Sequence, residues 1–312
     1  MTKCEQVSVI IPTKNRPDAL ALAVQSVLAQ TLRPTSLVIV DQSSGDESRR
    51  RLDTEFGRVE QQIARLCCLK YVHDPTISGA AAARNRAMTI ADGDIWLFLD
   101  DDVYLEPDFI EHLLRAYREN PKAVGISGII TNYPRPQLMY RLWSGVFMHG
   151  PFHDARQPIY WMAEQLRGSP PIRVHRLGGG LMSFRAEFVR DKRFDENLDR
   201  SLSGVSDGED VDFCWRLGAN AVLLIDPRAR LQHYHDPAGR LADHWLRRHA
   251  RGNLFLYRKL WNKGGLNRLR FWWLWFGYCA VASIASLHQL SLEPWRALWK
   301  GAAEALNASV HA

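Results

Sequence analysis

Ile95-Trp96-Leu97-Phe98-Leu99-Asp100-Asp101-Asp102 is the stretch that decides the reading of this chain. Five apolar residues after Gly93-Asp94 predict a short buried strand. Three carboxylates then follow without a break. Charged side chains are rarely buried unless paired or bound to a metal, and adjacent carboxylates repel one another. The strand end therefore calls for positive charge, which a divalent cation with oxygen ligands, Mg²⁺ or Mn²⁺, would supply. A solvated loop with a helix cap also fits these residues, and the local sequence leaves both readings open.

Upstream, strand-like and helix-like segments alternate. Val7 to Pro12 is a near-continuous β-branched run, as in a strand buried on both faces. Asp18 opens a helical pattern with Leu20, Val24, Val27 and Leu28 on one side. Leu37 to Val40 predicts a second strand, ending in Asp41-Gln42-Ser43-Ser44-Gly45-Asp46, and Leu69 to Val72 predicts a third. Ala80 to Ala91 reads as an Ala-rich helix. This order predicts an α/β fold with a mostly parallel central sheet flanked by helices. Such sheets bind ligands at the carboxyl ends of their strands, where Asp41 and Asp100 to Asp102 all fall. No Walker-type loop or Gly-x-Gly-x-x-Gly is present, so the usual phosphate-cradling loops are absent. A late strand is expected to end at Ile225-Asp226-Pro227. Beyond it His233 and His235 would share a face if the segment is extended, and imidazole suits Mn²⁺ better than Mg²⁺. Hydrogen-bonded structural histidines are the competing reading.

The chain has 312 residues, 46% hydrophobic and 24% charged, enough for one large domain with an appendage. The boundary is expected near residue 237, with 1–237 catalytic and 238–312 a helical extension. The apolar run Val7 to Ile11 is shorter than the ~7 residues of a signal-peptide core. Five cysteines, an odd number without zinc spacing, read as reduced thiols and a cytoplasmic protein. From Arg240 onward there are eleven Lys and Arg against three acidic residues, and seven of the eleven tryptophans. A basic, Trp-rich tail suggests an anionic surface. No nucleic-acid motif is visible, so a membrane surface is the expected partner and nucleic acid is not. Phe271 to Leu287 has no charge but falls short of the ~20 residues of a span. A surface helix, a buried packing helix and a span all stay open. Leu292 to Leu306 predicts an amphipathic helix with Trp295, Leu298, Trp299, Ala302 and Leu306 on one side.

Several segments together resemble the family 2 glycosyltransferases of GT-A fold. They are Val7 to Arg16, Val40 to Asp46, Gly79-Ala80-Ala81-Ala82-Ala83-Arg84-Asn85-Arg86, Leu97 to Asp102, Gly178 to Arg185 and Gly208-Glu209-Asp210-Val211-Asp212-Phe213. The resemblance runs from about residue 7 to 236. It implies inverting transfer of a sugar from a nucleotide-diphosphate donor to a hydroxyl of a glycan or lipid-linked acceptor, with a divalent metal. It assigns the metal to Asp102, with Asp100 and His233 beside it, and leaves Asp101 as a spare carboxylate near the nucleotide. Asp210 becomes the general base, and Glu209, Gly179 and Gly180 the acceptor side. Pro12, Thr13, Asn15, Asp41, Gln42 and Arg84 fall to the nucleotide. Gln42 stands where similar enzymes carry an acidic residue against the base. Its amide oxygen still accepts one bond, which favours UDP or dTDP donors. For Glu209 to Asp212, an acidic first turn stabilising a helix dipole is the plain alternative.

Two other functions compete. A nucleotidyltransferase would need a Gly-rich loop after the first strand, and Pro12-Thr13-Lys14-Asn15-Arg16-Pro17 has the bases without the glycines. A catalytically inactive relative acting as a binding protein is opposed by the intact Asp102 and Asp210.

Overall fold

The computed structural model describes residues 5–57, 67–133, 138–147, 163–178, 180–198, 208–218, 220–234, 245–260 and 265–307. The strands are β1 (Val7–Thr13), β2 (Ser36–Asp41), β3 (Cys68–His73), β4 (Ile95–Leu99), β5 (Val103–Leu105), β6 (Ala123–Ile130), β7 (Ile172–Val174), β8 (Leu181–Arg185) and β9 (Val222–His233). The helices used below are α1 (Pro17–Leu28), α2 (Glu47–Phe56), α3 (Ala80–Met88), α4 (Phe109–Glu119), α5 (Leu138–Phe147), α6 (Ala186–Val189), α7 (Glu209–Arg216), α8 (Trp245–Leu260), α9 (Gly265–Gln289) and α10 (Glu293–Asn307).

All nine strands join one sheet in the order β3-β2-β1-β4-β8-β6-β9-β5, with β7 also on β9. β1, β2, β3 and β4 are mutually parallel, and β6 and β9 run the same way. β8 is antiparallel to both its neighbours, β4 and β6. Chain order reverses between β1 and β4, which makes the gap at their carboxyl ends a switch point. β1 pairs with β4 only as far as Ile10, opposite Phe98. Pro12, which cannot donate to a ladder, sits just beyond, where the two strands have parted.

Every residue of β1, β2 and β4 is buried. Strand alternation explains how one apolar run feeds two cores. Val9, Ile11, Leu37, Ile39, Leu97 and Leu99 face one layer, with Leu20, Val24 and Val27 of α1 and Phe109 and Leu113 of α4. Ile10, Val38, Val40, Trp96 and Phe98 face the other, with Ala81, Ala83 and Ala87 of α3. The small side chains of α3 let that helix lie close against the sheet.

Several boundaries differ from the sequence reading. β9 does not stop at Ile225-Asp226-Pro227 but continues to His233. The β6–β9 register jumps between Ser127↔Ile225 and Ile129↔Arg230, so Pro227 falls in an unpaired bulge where its missing N–H costs nothing. Buried Asp226 fills the bulge by accepting from the Arg228 backbone N–H (3.0 Å) and guanidinium (2.9 Å). α3 ends at Met88 rather than Ala91. The helix that carries the uncharged run Phe271 to Leu287 begins earlier, at Gly265.

The chain divides into two compact units. The sheet unit comprises Met1–Pro134, Pro158–Phe194 and Phe213–His235; the helical unit comprises Arg135–Gln157, Asp195–Asp212 and Asp236–Ala312. The helical unit has its own core of Leu246, Ala250, Tyr257, Phe271, Leu274, Tyr278, Ala282 and Leu298. Trp143 of α5 lies with its ring 5.5 Å from that of Tyr278 and donates its indole N–H to the Gly277 carbonyl at 3.0 Å. α10 buries Pro294, Leu298, Gly301, Ala302 and Ala305. Trp299 and Leu306, expected on that buried side, are exposed instead. The reason is Gly301: it lies against the Arg247 carbonyl of α8, and this close approach rotates the small residues inward. Among the described residues no helix is long and apolar enough to cross a membrane.

Candidate active site

Three strand ends converge in the sheet unit. Thr13 closes β1, Asp41 closes β2, and Asp100 to Asp102 follow β4. The antiparallel pairing of β5 with β9 puts Val103 opposite His233, which carries His233 to the same edge. His233 is held there by Asn132, whose side chain accepts from its N–H (2.8 Å) and donates to its carbonyl (3.2 Å). The Tyr234 N–H donates to the Asp102 carbonyl at 2.8 Å.

Asp100, Asp102 and His233 each offer a ligand atom, and the three atoms lie within 4.8 Å of one another. His233 Nε2 is 2.8 Å from Asp102 Oδ1. Gly180 belongs to the same spot: the Asp100 N–H meets its carbonyl at 3.3 Å. A Cβ at Gly180 would stand 2.6 Å from Asp100 Oδ2 and 3.3 Å from His233 Cε1. A side chain there would push the Asp100 carboxylate from its place. Two carboxylates, one imidazole and a backbone cleared of side chain fit a hard divalent cation that accepts nitrogen, Mn²⁺ or Mg²⁺.

Part of the positive charge demanded by the aspartates comes from two arginines. Arg84, expected at the nucleotide or in solvent, is buried and donates to Asp100 Oδ1 at 2.9 Å. Arg16, to which the sequence reading gave no role, bridges Asp101 (3.0 Å) and Asp102 (3.2 Å). The signal for it was present: a lone arginine three residues beyond the end of β1, facing three carboxylates. Asp101 is turned away from the ligand cluster and accepts from the Thr13 hydroxyl at 2.7 Å. Burial raises the Asp101 pKa to about 6, against the Thr13 bond and the Arg16 charge that lower it.

The proposed nucleotide loop is heavily cross-tied. Asp41, fully buried, accepts from the Ser43 N–H (2.9 Å) and the Tyr71 hydroxyl (2.6 Å). The Gln42 amide oxygen accepts the Gly79 N–H at 2.7 Å, so the acceptor assigned to a base edge already ties β2's loop to the start of α3. Asn15 adopts a left-handed φ of 54° and donates its N–H to Ser43 Oγ at 2.8 Å. These residues, Asn15, Asp41 and Gln42, shape the loop's backbone; Tyr71 and Ser43 were not legible as their partners.

In the helical unit, Glu209 and Asp210 open α7 as the acidic first turn. Asp210 Oδ1 accepts the Val211 N–H at 2.8 Å, and the Gly208 N–H donates to Glu209 at 3.3 Å. Asp212, one turn along, is fully buried and lies 2.9 Å from Lys259 Nζ of α8. Lys259 also pairs with Asp195 at 2.6 Å. Burial pushes the Asp195 pKa up, but the bonds from Lys259 and the Asn197 N–H outweigh it and hold the group below its ordinary value. Lys259 was not singled out in the sequence because its partners lie 47 and 64 residues away. Gly179 and His235 lie outside the described residues.

An acidic ligand cluster at the carboxyl edge of a mostly parallel sheet, with helices on both faces, is the arrangement of a GT-A type α/β fold. Residues 8–186 match Glycosyl transferase family 2. A glucosyl-dolichyl phosphate glucuronosyltransferase of Haloferax volcanii is 33% identical over 242 residues, 73% of this chain and 69% of its own length. The chain belongs to glycosyl transferase family 2 and is a glycosyltransferase. Among solved structures, the mannosyltransferase PcManGT of Pyrobaculum calidifontis, in complex with GDP-Man and Mn²⁺, superposes with a TM-score of 0.61 at 18% identity, over 98% of this chain and 88% of that one. S. aureus TarS 1-349 with UDP-GlcNAc gives 0.58 at 14% identity, over 95% and 79%. Both share the fold.

Proposed function

We propose that this chain transfers a sugar, with inversion, from a nucleoside-diphosphate donor to a hydroxyl of a glycan or lipid-linked acceptor. The observation that carries this reading is the Asp100, Asp102 and His233 cluster at the carboxyl edge of the sheet, roofed by the bare backbone of Gly180. In the transfer, the acceptor oxygen bonds to the anomeric carbon as the bond from that carbon to the diphosphate oxygen breaks. The acceptor's proton passes to a carboxylate, which we assign to Asp210. A divalent cation held by Asp100, Asp102 and His233 would neutralise charge on the departing diphosphate. Arg84 and Arg16 hold the carboxylates in place. Thr13, Asn15, Asp41 and Gln42 fix the loops that border the nucleotide, and Glu209 orients the acceptor beside Asp210. Gly180, and by the same resemblance Gly179, let backbone approach the substrates.

The donor assignment is supported by neighbours of the same fold bound to UDP-GlcNAc and GDP-Man; we favour UDP or dTDP because the uncharged Gln42 amide oxygen has a second lone pair beside the one that takes the Gly79 N–H. The lipid-linked acceptor is supported by the relative named for glucosyl-dolichyl phosphate. The basic, Trp-rich composition beyond residue 238 supports a cytoplasmic protein lying peripherally on the inner face of the membrane. A thermal-shift screen of UDP, dTDP, GDP and CMP, each with and without Mn²⁺ or Mg²⁺, tests the donor site. A ligand at about 100 times its Kd adds roughly 2.7 kcal/mol. Metal-dependent stabilisation by one nucleotide is expected; silence from all four would discard the donor site as assigned.

A further inference from the structure

Helix α9 is apolar on two sides. Phe271, Leu274, Tyr278 and Ala282 face the core of the helical unit. Leu269, Trp272, Phe276, Ile284 and Leu287 form a second stripe at helical spacing, and all five are exposed, Trp272 by 60% and Leu287 by 76%. A helix apolar all round is ordinarily buried, and an exposed apolar patch of this extent marks an interaction surface. From Leu269 to Leu287 the stripe is about 27 Å long at 1.5 Å per residue. It continues into Leu290 and Leu292, which with Ser283, Ser286 and Trp295 line an open pocket of about 580 Å³.

The neighbouring helix adds charge to apolar surface. The exposed face of α10, just after Leu292, carries Arg296, Trp299, Lys300 and Leu306 with Glu293, which pairs with Arg296 at 2.6 Å, and Trp299 lies 6.1 Å from Trp275 of α9, ring to ring. Arg268 stands one turn before Trp272 on the exposed side of α9. From Arg240 onward cations outnumber anions eleven to three. A second copy of the chain could cover the apolar stripe, but it would bring the same excess of positive charge to the contact. An anionic phospholipid surface answers both features, because it takes aromatic and aliphatic side chains at the acyl boundary and cations at the phosphates.

We infer that the exposed faces of α9 and α10 dock this enzyme on an anionic phospholipid bilayer. Trp272, Phe276, Ile284 and Leu287 enter the acyl boundary, while Arg268, Arg296 and Lys300 meet the headgroups. This deepens the peripheral placement proposed above and does not depend on the sugar-transfer chemistry. Vesicle binding is read without nucleotide, so its failure leaves the donor-site reading standing, and the reverse also holds.

The test is flotation of the full chain with vesicles of phosphatidylcholine alone or of phosphatidylcholine mixed with phosphatidylglycerol. The parent protein is expected to float with the anionic vesicles and stay behind with the neutral ones. Combining Trp272→Glu with Phe276→Glu should lower the partition at least about tenfold at an unchanged melting temperature. Should that pair lower the melting temperature, Trp272→Ser with Phe276→Ser serves in its place. Arg296→Gln with Lys300→Gln should lower it severalfold and flatten its salt dependence. Absence of flotation, equal flotation with both vesicles, or flotation undiminished in the aromatic variants overturns the inference. So does a dimer in sedimentation that those variants dissolve, which would assign the stripe to a second copy.

Discussion

The two units of this molecule handle apolar surface in opposite ways. In the sheet unit, β1, β2 and β4 are buried end to end, and only Leu22, Tyr104, Phe188 and Tyr234 stand among its described residues as large exposed hydrophobics. Among the described residues of the helical unit fourteen such side chains are exposed. The difference lies in geometry. A sheet covered on both faces sends alternate side chains into two cores, so a continuous apolar run is fully used. A helix in a small bundle can turn only one stripe inward, and α9 has two. Surplus apolar surface marks the helical unit and polar satisfaction the edge of the sheet unit; of the groups proposed above, the ligand cluster falls to the sheet unit and Asp210 to the helical one.

The sharpest way to break that division is at Asp210. Asp210→Asn keeps the helix start and its size but removes the proton acceptor, and should lower transfer by about 10²–10⁴-fold. Nucleotide affinity, read by calorimetry, should stay within about twofold of the parent, because the base acts on the acceptor. Transfer at the parental rate would take Asp210 out of the mechanism. Asp102→Ala strikes the sheet unit instead, and should cost Mn²⁺-dependent nucleotide affinity about tenfold or more. Undiminished metal-dependent binding would remove Asp102 from the ligand set.

Lys259 tests whether the helical unit relies on buried charge as well as apolar packing. Lys259→Met removes the ammonium 2.9 Å from buried Asp212 and should destabilise the fold by about 3 kcal/mol, read from denaturant unfolding. Adding Asp212→Asn should recover part of that loss. A melting curve unmoved by Lys259→Met would mean that other contacts hold Asp212. Gly301→Ala should cost about 1–3 kcal/mol, since the new methyl overlaps the Arg247 carbonyl where α10 crosses α8. A neutral substitution there would show that the crossing can open.

A further effect appears only in acid. Burial, with a smaller contribution from the Arg248 charge, lowers the pKa of His249 from an ordinary 6.5 to about 3. Its ring packs 4.7 Å from Trp245. A depressed histidine pKa means that the unfolded chain binds the proton first as pH falls. Stability from this group is complete above about pH 6.5 and is lost between there and about pH 3. His249→Phe should flatten the acid limb of the melting-temperature profile. An acid limb unchanged by that substitution would place the titration on other groups.

Much of the sheet unit was legible before the fold was known. The β-branched run at Val7, the apolar run at Leu37 and the stretch from Ile95 to Asp102 each became the strand expected of them, because both-face burial leaves an unmistakable apolar signature. The Gln42 partner, the Arg16 bridge and the continuation of β9 past Pro227 were not legible. Each depends on a residue far away in the chain or on a register break that periodicity does not encode. The face of α10 was misread for the same reason. Periodicity grouped Trp299 and Leu306 with the apolar side, whereas contact with Arg247 turned Gly301, Ala302 and Ala305 inward.

By itself, the sequence determined the alternation of strands and helices, the family resemblance, the acidic strand ends and the basic, Trp-rich tail, because these are local patterns of residue type. Only the tertiary structure decided which carboxylates share a ligand cluster, which are held by arginine, and which aromatic residues are exposed. The physical reason is that proximity between residues more than a hundred positions apart, such as Asp102 and His233, is fixed by strand pairing and helix crossing. No local spacing in the chain records that pairing.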